Sequence, residues 1–220
     1  MSKEEKIREL KTLGRLRQSK KYKNYNNISD YPRGEEYDTQ FVSPYTKSAQ
    51  NVNSHIAFVL QDWSSNESLN NPFNPKMAEL GYDPSTPTNT NLIKLLRQVY
   101  GLDLHEVFIT NLFPYIKKGS MSARIPQKDL DKAFEEFCKS QINIVRPKLV
   151  VCLGKQVYHT FFKNNSQKGR YSVGHYFIPE GYSYTAYYQC HPTNRGVNSR
   201  GGLKNVMKDW RKMKKMFPNS

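Results

Sequence analysis

The chain has 220 residues, 37% of them hydrophobic and 13% aromatic, and a net charge of +15. That length suits one well-buried domain and is short for two. The chain lacks an apolar run near the roughly 18 residues of a membrane span, and its start, MSKEEKIREL, lacks the apolar core of a secretion signal. The expectation is therefore a cytoplasmic protein whose basic excess meets a polyanion. Nucleic acid ranks before a membrane surface, because no helix concentrates the basic residues opposite a strongly apolar face.

Residues 1–30 read as a basic helical extension, set apart from a domain over 31–220. KEEKIRELKTLGRLRQ spaces Ile7, Leu10, Leu13 and Leu16 for a helix. The following SKKYKNYNN reads as an exposed loop, and 31–54, with Pro32 and Pro44, as an irregular segment. HIAFVLQ (55–61) is a continuous apolar run, the mark of a buried parallel strand. TNTNLIKLLRQVYG predicts a helix with Asn or Thr as cap and Gly101 beyond its end. EVFITN (106–111) is the second predicted strand. The next helix places Leu130, Phe134, Phe137, Cys138, Gln141 and Ile142 near one face and stops at Pro147. KLVVCLG (148–154) is the third strand, KQVYHTFF a short helix, and YTAYYQC (184–190) the fourth strand. A last helix carries the stripe Leu203, Val206, Met207, Trp210 and Met213, read as core packing.

Alternating strands and helices imply an α/β fold, a parallel sheet flanked by helices. Cys138, Cys152 and Cys190 stand alone without a C-x-x-C pair, which argues for buried thiols and against a zinc ribbon or iron–sulfur cluster. Open parallel sheets bind ligands outside the carboxyl ends of their strands. Those ends carry Gln61-Asp62-Trp63, Thr110-Asn111, Gly154-Lys155 and His191-Pro192-Thr193-Asn194. Alone, Asp62 reads as a cap, Asn111 as a turn residue and His191 as a structural histidine. Together they place a carboxylate, an amide, a lysine at a helix start and an imidazole around one crevice.

VLQDWSS, VFITNLFPY, VVCLGK and QCHPTNRG resemble the ordered motifs of the uracil-DNA glycosylase superfamily, over roughly residues 50–215. The resemblance implies a three-layer α/β/α sandwich around a central parallel four-stranded sheet. It implies an enzyme that flips a uracil or modified pyrimidine base out of double- or single-stranded DNA and hydrolyses its N-glycosidic bond. By resemblance, Asp62 lies below the sugar, stabilises its cationic character and orients water. His191, with backbone N–H groups, stabilises charge on a base carbonyl. Asn111 reads the base edge, the Gln61 backbone faces the base, and Phe73 stacks on it, with Tyr82 as the alternative. In PTNRGVNSRGG, small residues let the backbone approach DNA, Arg195 and Arg200 meet phosphates and Val197 acts as a wedge, against the plainer reading of a flexible basic loop. Thr193 and Asn194 replace the family's Ser-Pro. Lys155 suits a phosphate at a helix start or is a solvated lysine.

The departures bear on substrate. Leu60 stands where the family has Gly, Trp63 where it has Pro, and Ser64 where it has a Tyr that crowds C5 of the base. Ser64 leaves room for a C5 substituent unless Trp63 fills it. With no lysine at a motif position to form a Schiff base, the expectation is a monofunctional, monomeric glycosylase without metal or nucleotide cofactor. The alternatives are a glycosylase for C5-modified cytosine in foreign (phage) DNA and an inactive relative that only binds DNA.

Overall fold

The computed structural model describes residues 1–22, 24–162, 173–178 and 182–218. Strands β1 (Ile56–Asp62), β2 (Phe108–Phe113), β3 (Leu149–Leu153), β4 (Val173–Ile178) and β5 (Tyr182–Gln189) form one sheet in the order β2-β1-β3-β5-β4. The first four in that order are parallel, with Leu60 beside Asn111, Ala57 beside Val150 and Leu153 beside Gln189. This is the expected four-stranded parallel sheet between helical layers. It gains an antiparallel edge strand, β4, which the sequence reading missed. An antiparallel edge on a mostly parallel sheet is common. β2 also starts later than expected, because Leu104–Glu106 forms a tight turn whose Asp103 and Glu106 cap each other.

The helices, in chain order, are α1 (Lys3–Ser19), α2 (Gly34–Tyr37), α3 (Asn66–Leu69), α4 (Pro75–Leu80), α5 (Pro87–Leu95), α6 (Gln127–Ala133), α7 (Lys139–Val145), α8 (Lys155–Phe161), α9 (Asn194–Ser199) and α10 (Leu203–Met216). A wider turn over Phe134–Cys138 joins α6 to α7. Arg146, in a left-handed conformation, ends α7 one residue before Pro147. All six residues assigned to the apolar face of this segment are buried.

Period-two alternation along β1 divides the core between the two sides of the sheet. Ile56, Phe58 and Leu60 face the layer of α5 and α10, where Phe58 stacks on Trp210 at 5.4 Å. Ala57 and Val59 face Phe137, Cys138 and Ile142. The three cysteines are free and buried.

The N-terminal segment packs on this same core. Leu10 is buried in it, while Leu16 of the predicted stripe is exposed. Arg17 is fully buried and ion-paired with Asp38. The loop expected to be exposed instead seats Tyr22 against Tyr115 (4.3 Å) and Tyr25 against Phe113 (4.7 Å), and Tyr25 donates to Asp129 at 2.8 Å. Its aromatic residues have rings to pack against, which their neighbouring lysines disguise. No described helix is long and apolar enough to cross a membrane.

Candidate active site

Because β1, β2, β3 and β5 run parallel, their carboxyl ends open on one edge of the sheet. There a cavity of about 560 Å³ is lined by Asp62, Trp63, Ser64, Lys117 and His191, with Tyr45 and Tyr82 also on its wall. The Asp62 side chain is 7% exposed. Its Oδ1 accepts from Gln61 Nε2 at 2.9 Å and its Oδ2 lies 2.8 Å from Lys117 Nζ. Burial pushes its carboxyl above the usual carboxylate range, and Lys117 and Gln61 pull it back.

Lys117 belongs to none of the sequence motifs, yet it is in the site. It lies six residues past Asn111, in a loop pinned on both sides. Ile116 N–H donates to the Asn26 carbonyl (3.0 Å), and the Lys117 carbonyl accepts from Asn66 N–H (2.8 Å). Its Nζ also donates to the Met121 carbonyl at 2.5 Å. Only its nearness to the exit of β2 pointed to it.

His191 stands two residues beyond β5. Two glycines fit it into place. Gly154, at φ 106°, ends β3 against the imidazole, where an added Cβ would lie 3.5 Å from His191 Cδ2. At Gly196 an added Cβ would meet the His191 carbonyl oxygen at 2.0 Å, so α9 can close on the loop only with glycine there. Asn91 ties the loop to α5 by donating to the Pro192 carbonyl at 2.9 Å. Burial, with the Lys117 charge adding to it, lowers the imidazole to about 4, so it is neutral at neutral pH. Its Nδ1 has no hydrogen-bond partner among the described residues.

A sequence model of the uracil DNA glycosylase superfamily matches residues 44–214. The chain belongs to that superfamily. It is also similar to a type-4 uracil-DNA glycosylase of Saccharolobus solfataricus, 31% identical over 77 residues. That match spans 35% of this chain and 34% of the relative, about a third of its length.

In this member of the uracil DNA glycosylase superfamily, not every residue singled out by motif reaches the cavity. Gln61, Asp62, Trp63, His191, Thr193 and Arg195 line it. Asn111 does not. It is fully buried, its Oδ1 accepts from Ser43 Oγ at 2.5 Å, and its Nδ2 has no partner among the described residues. Ser43 caps the turn that carries Tyr45 to the wall. Phe73 is also off the wall. Arg33 sits 3.5 Å over its ring and Tyr37 lies 4.9 Å away. Besides Trp63, the aromatic residues on the wall are Tyr82, the alternative choice, and Tyr45, whose rings are parallel within 2° at 6.0 Å. Trp63 is fixed by donating Nε1 to the Gly81 carbonyl at 2.9 Å. Ser64 is 1% exposed, and its hydroxyl has no partner among the described residues.

The segment expected to meet DNA is the helix α9, capped by Thr193, which accepts from Gly196 N–H at 3.1 Å. Asn194 and Arg195 are exposed on it. Val197 is not available as a wedge, because it is 7% exposed and belongs to the core around Trp210. Arg200 pairs with Asp209 at 2.6 Å. Lys155 is exposed at the start of α8, off the cavity wall, which its neighbour Gln156 joins. Among the described residues no group of His, Cys, Asp or Glu is placed to hold a metal ion.

Proposed function

We propose that this protein is a DNA glycosylase that extrudes a uracil or modified pyrimidine from DNA and hydrolyses its N-glycosidic bond. The observation that carries this reading is the meeting of Asp62 and His191 on one cavity at the carboxyl edge of the sheet. With the nucleotide flipped into the cavity, the bond between C1′ and the base nitrogen breaks and its electron pair leaves with the base. An N–H of neutral His191 donates to the base carbonyl oxygen where the negative charge gathers. The Asp62 carboxylate stabilises the sugar cation and takes the proton of the water that attacks C1′. Tyr82 and Tyr45 offer faces for the base, Trp63 and the Gln61 backbone border it, and Thr193, Asn194 and Arg195 stand at the rim for phosphate. Asn111 reads the base edge only if the turn carrying Tyr45 moves aside.

A second reading, a glycosylase for C5-substituted pyrimidines, is favoured by Ser64. The small side chain at this wall position stands beside a Trp63 whose indole is held to Gly81. Base release from duplex and single-stranded oligonucleotides, read after alkali cleavage with Asp62→Ala as control, separates the cases. Release of uracil that the control loses supports uracil excision. Release of C5-modified cytosine alone supports the second reading. Tight binding without release of any base overturns both and leaves a DNA-binding relative.

A further inference from the structure

We propose that Lys117 gives this protein a second activity, β-elimination at the abasic site through an imine between its Nζ and C1′. The inference rests on the reading that Asp62 faces C1′. Reacting groups in a productive complex stand about 3–3.5 Å apart. An amine 2.8 Å from the carboxylate that serves C1′ is therefore one contact from the same carbon.

The charge at this place also needs an explanation. Asp62 already has a neutral donor in Gln61. A permanent ammonium on its other oxygen cancels part of the field that stabilises a sugar cation. Burying a lysine is costly unless it is paired, and the 5% exposed side chain of Lys117 is held by Asp62 and the Met121 carbonyl. Lys117 lines the cavity that, on the proposed reading, takes the sugar. Once it has passed a proton to Asp62, the amine is a nucleophile.

The steps balance without oxidant or reductant. The Lys117 ammonium passes a proton to the Asp62 carboxylate across their contact. The amine adds to the C1′ aldehyde of the ring-opened abasic sugar. Asp62 returns the proton to the carbinolamine hydroxyl, which leaves as water, and a protonated imine remains. The Asp62 carboxylate then takes a proton from C2′. The electron pair forms the C2′–C3′ double bond, and the C3′–O bond breaks with its pair going to the departing phosphate. Water hydrolyses the imine, restoring the lysine ammonium and freeing an unsaturated aldehyde, and Asp62 releases its proton to solvent.

The test uses the full chain and a labelled duplex with a preformed abasic site, which bypasses base recognition. Wild type is expected to cut the strand without alkali. With borohydride it is expected to form a covalent adduct that peptide mapping places on Lys117. Lys117→Arg keeps a cation beside Asp62 but cannot form the imine, so it is expected to lose the adduct and to cut on the order of 10²-fold more slowly. Lys117→Gln is expected to lose both as well, with melting temperatures reported for each variant. Cutting or trapping retained by Lys117→Arg, or an adduct mapped to another amine, overturns the proposal. Base release by wild type without any adduct overturns the lyase and leaves the glycosylase standing. An adduct on Lys117 without release of any tested base supports the lyase and counts against the base assignment alone.

Discussion

At the exit of β1 both oxygens of Asp62 are engaged, one by Gln61 and one by Lys117. Across the cavity, at the exit of β5, His191 Nδ1 has no partner among the described residues, and behind the wall at β2 neither does the Asn111 amide nitrogen. The Asp62 carboxylate is electrostatically closed before any ligand arrives, while His191, Asn111 and, two residues past Asp62, the Ser64 hydroxyl hold polar atoms unmatched among the described residues. A buried polar group without a partner costs about 1–3 kcal/mol, so the unmatched side stores instability that a hydrogen-bonding ligand relieves. The matched side holds its carboxylate in one geometry and leaves little to rearrange. Under the proposed glycosylase reading, the contrast matches fixed positioning on the sugar side and recognition on the base side.

Breaking the matched side is expected to do the most damage. Asp62→Asn removes the charge and keeps the shape, and should lower turnover by roughly 10²-fold or more. Turnover near wild type, measured as base release under single-turnover conditions, would take Asp62 out of the chemistry. On the unmatched side, His191→Ala should cost about 10²-fold in the same assay and change the acid limb of stability. The folded imidazole titrates at about 4, below its ordinary 6.5, so the unfolded chain binds that proton first. Stability tied to His191 is therefore present above about pH 6.5 and lost as pH falls towards 4. Asp62, raised by burial, works in the opposite direction. Melting curves across that range should fall less steeply for His191→Ala than for wild type, and identical slopes would refute a buried neutral imidazole. The smallest effect belongs to Asn111→Ala. It loses the bond from Ser43 and also removes an unmatched amide, so the two changes offset to within about 1 kcal/mol. A larger loss in denaturant unfolding would mean that Asn111 is fully engaged, and the contrast between the two sides would weaken.

The strands were readable because each is a short apolar run between polar breaks, and the rule for parallel sheets then located Asp62 and His191 at a common edge. What escaped depends on contacts between distant segments. Lys117 reaches Asp62 because its loop is pinned to Asn26 and Asn66, far away in sequence. Phe73 left the wall because Arg33 and Tyr37 compete for its ring. Val197 turned inward because NRGVNS, which reads as a flexible basic loop, coils into a helix whose apolar side has the core of Trp210 to face. Asn111, expected at a strand end, lies inside β2, two residues before its last residue Phe113, and Ser43, from a segment read as irregular, takes its carbonyl.

The close fit at Gly196 limits the order in which this sequence can change. An added methyl there would run into the main chain of His191 at 2.0 Å, and backbone gives way far less easily than the tip of a side chain. Alanine at 196 is thus accessible only after some other substitution has lifted the histidine loop, and that earlier step would itself disturb the site. In a randomised library selected for activity, replacements at 196 should surface late and in company, while exposed neighbours with no place in the site, such as Asn198, drift freely.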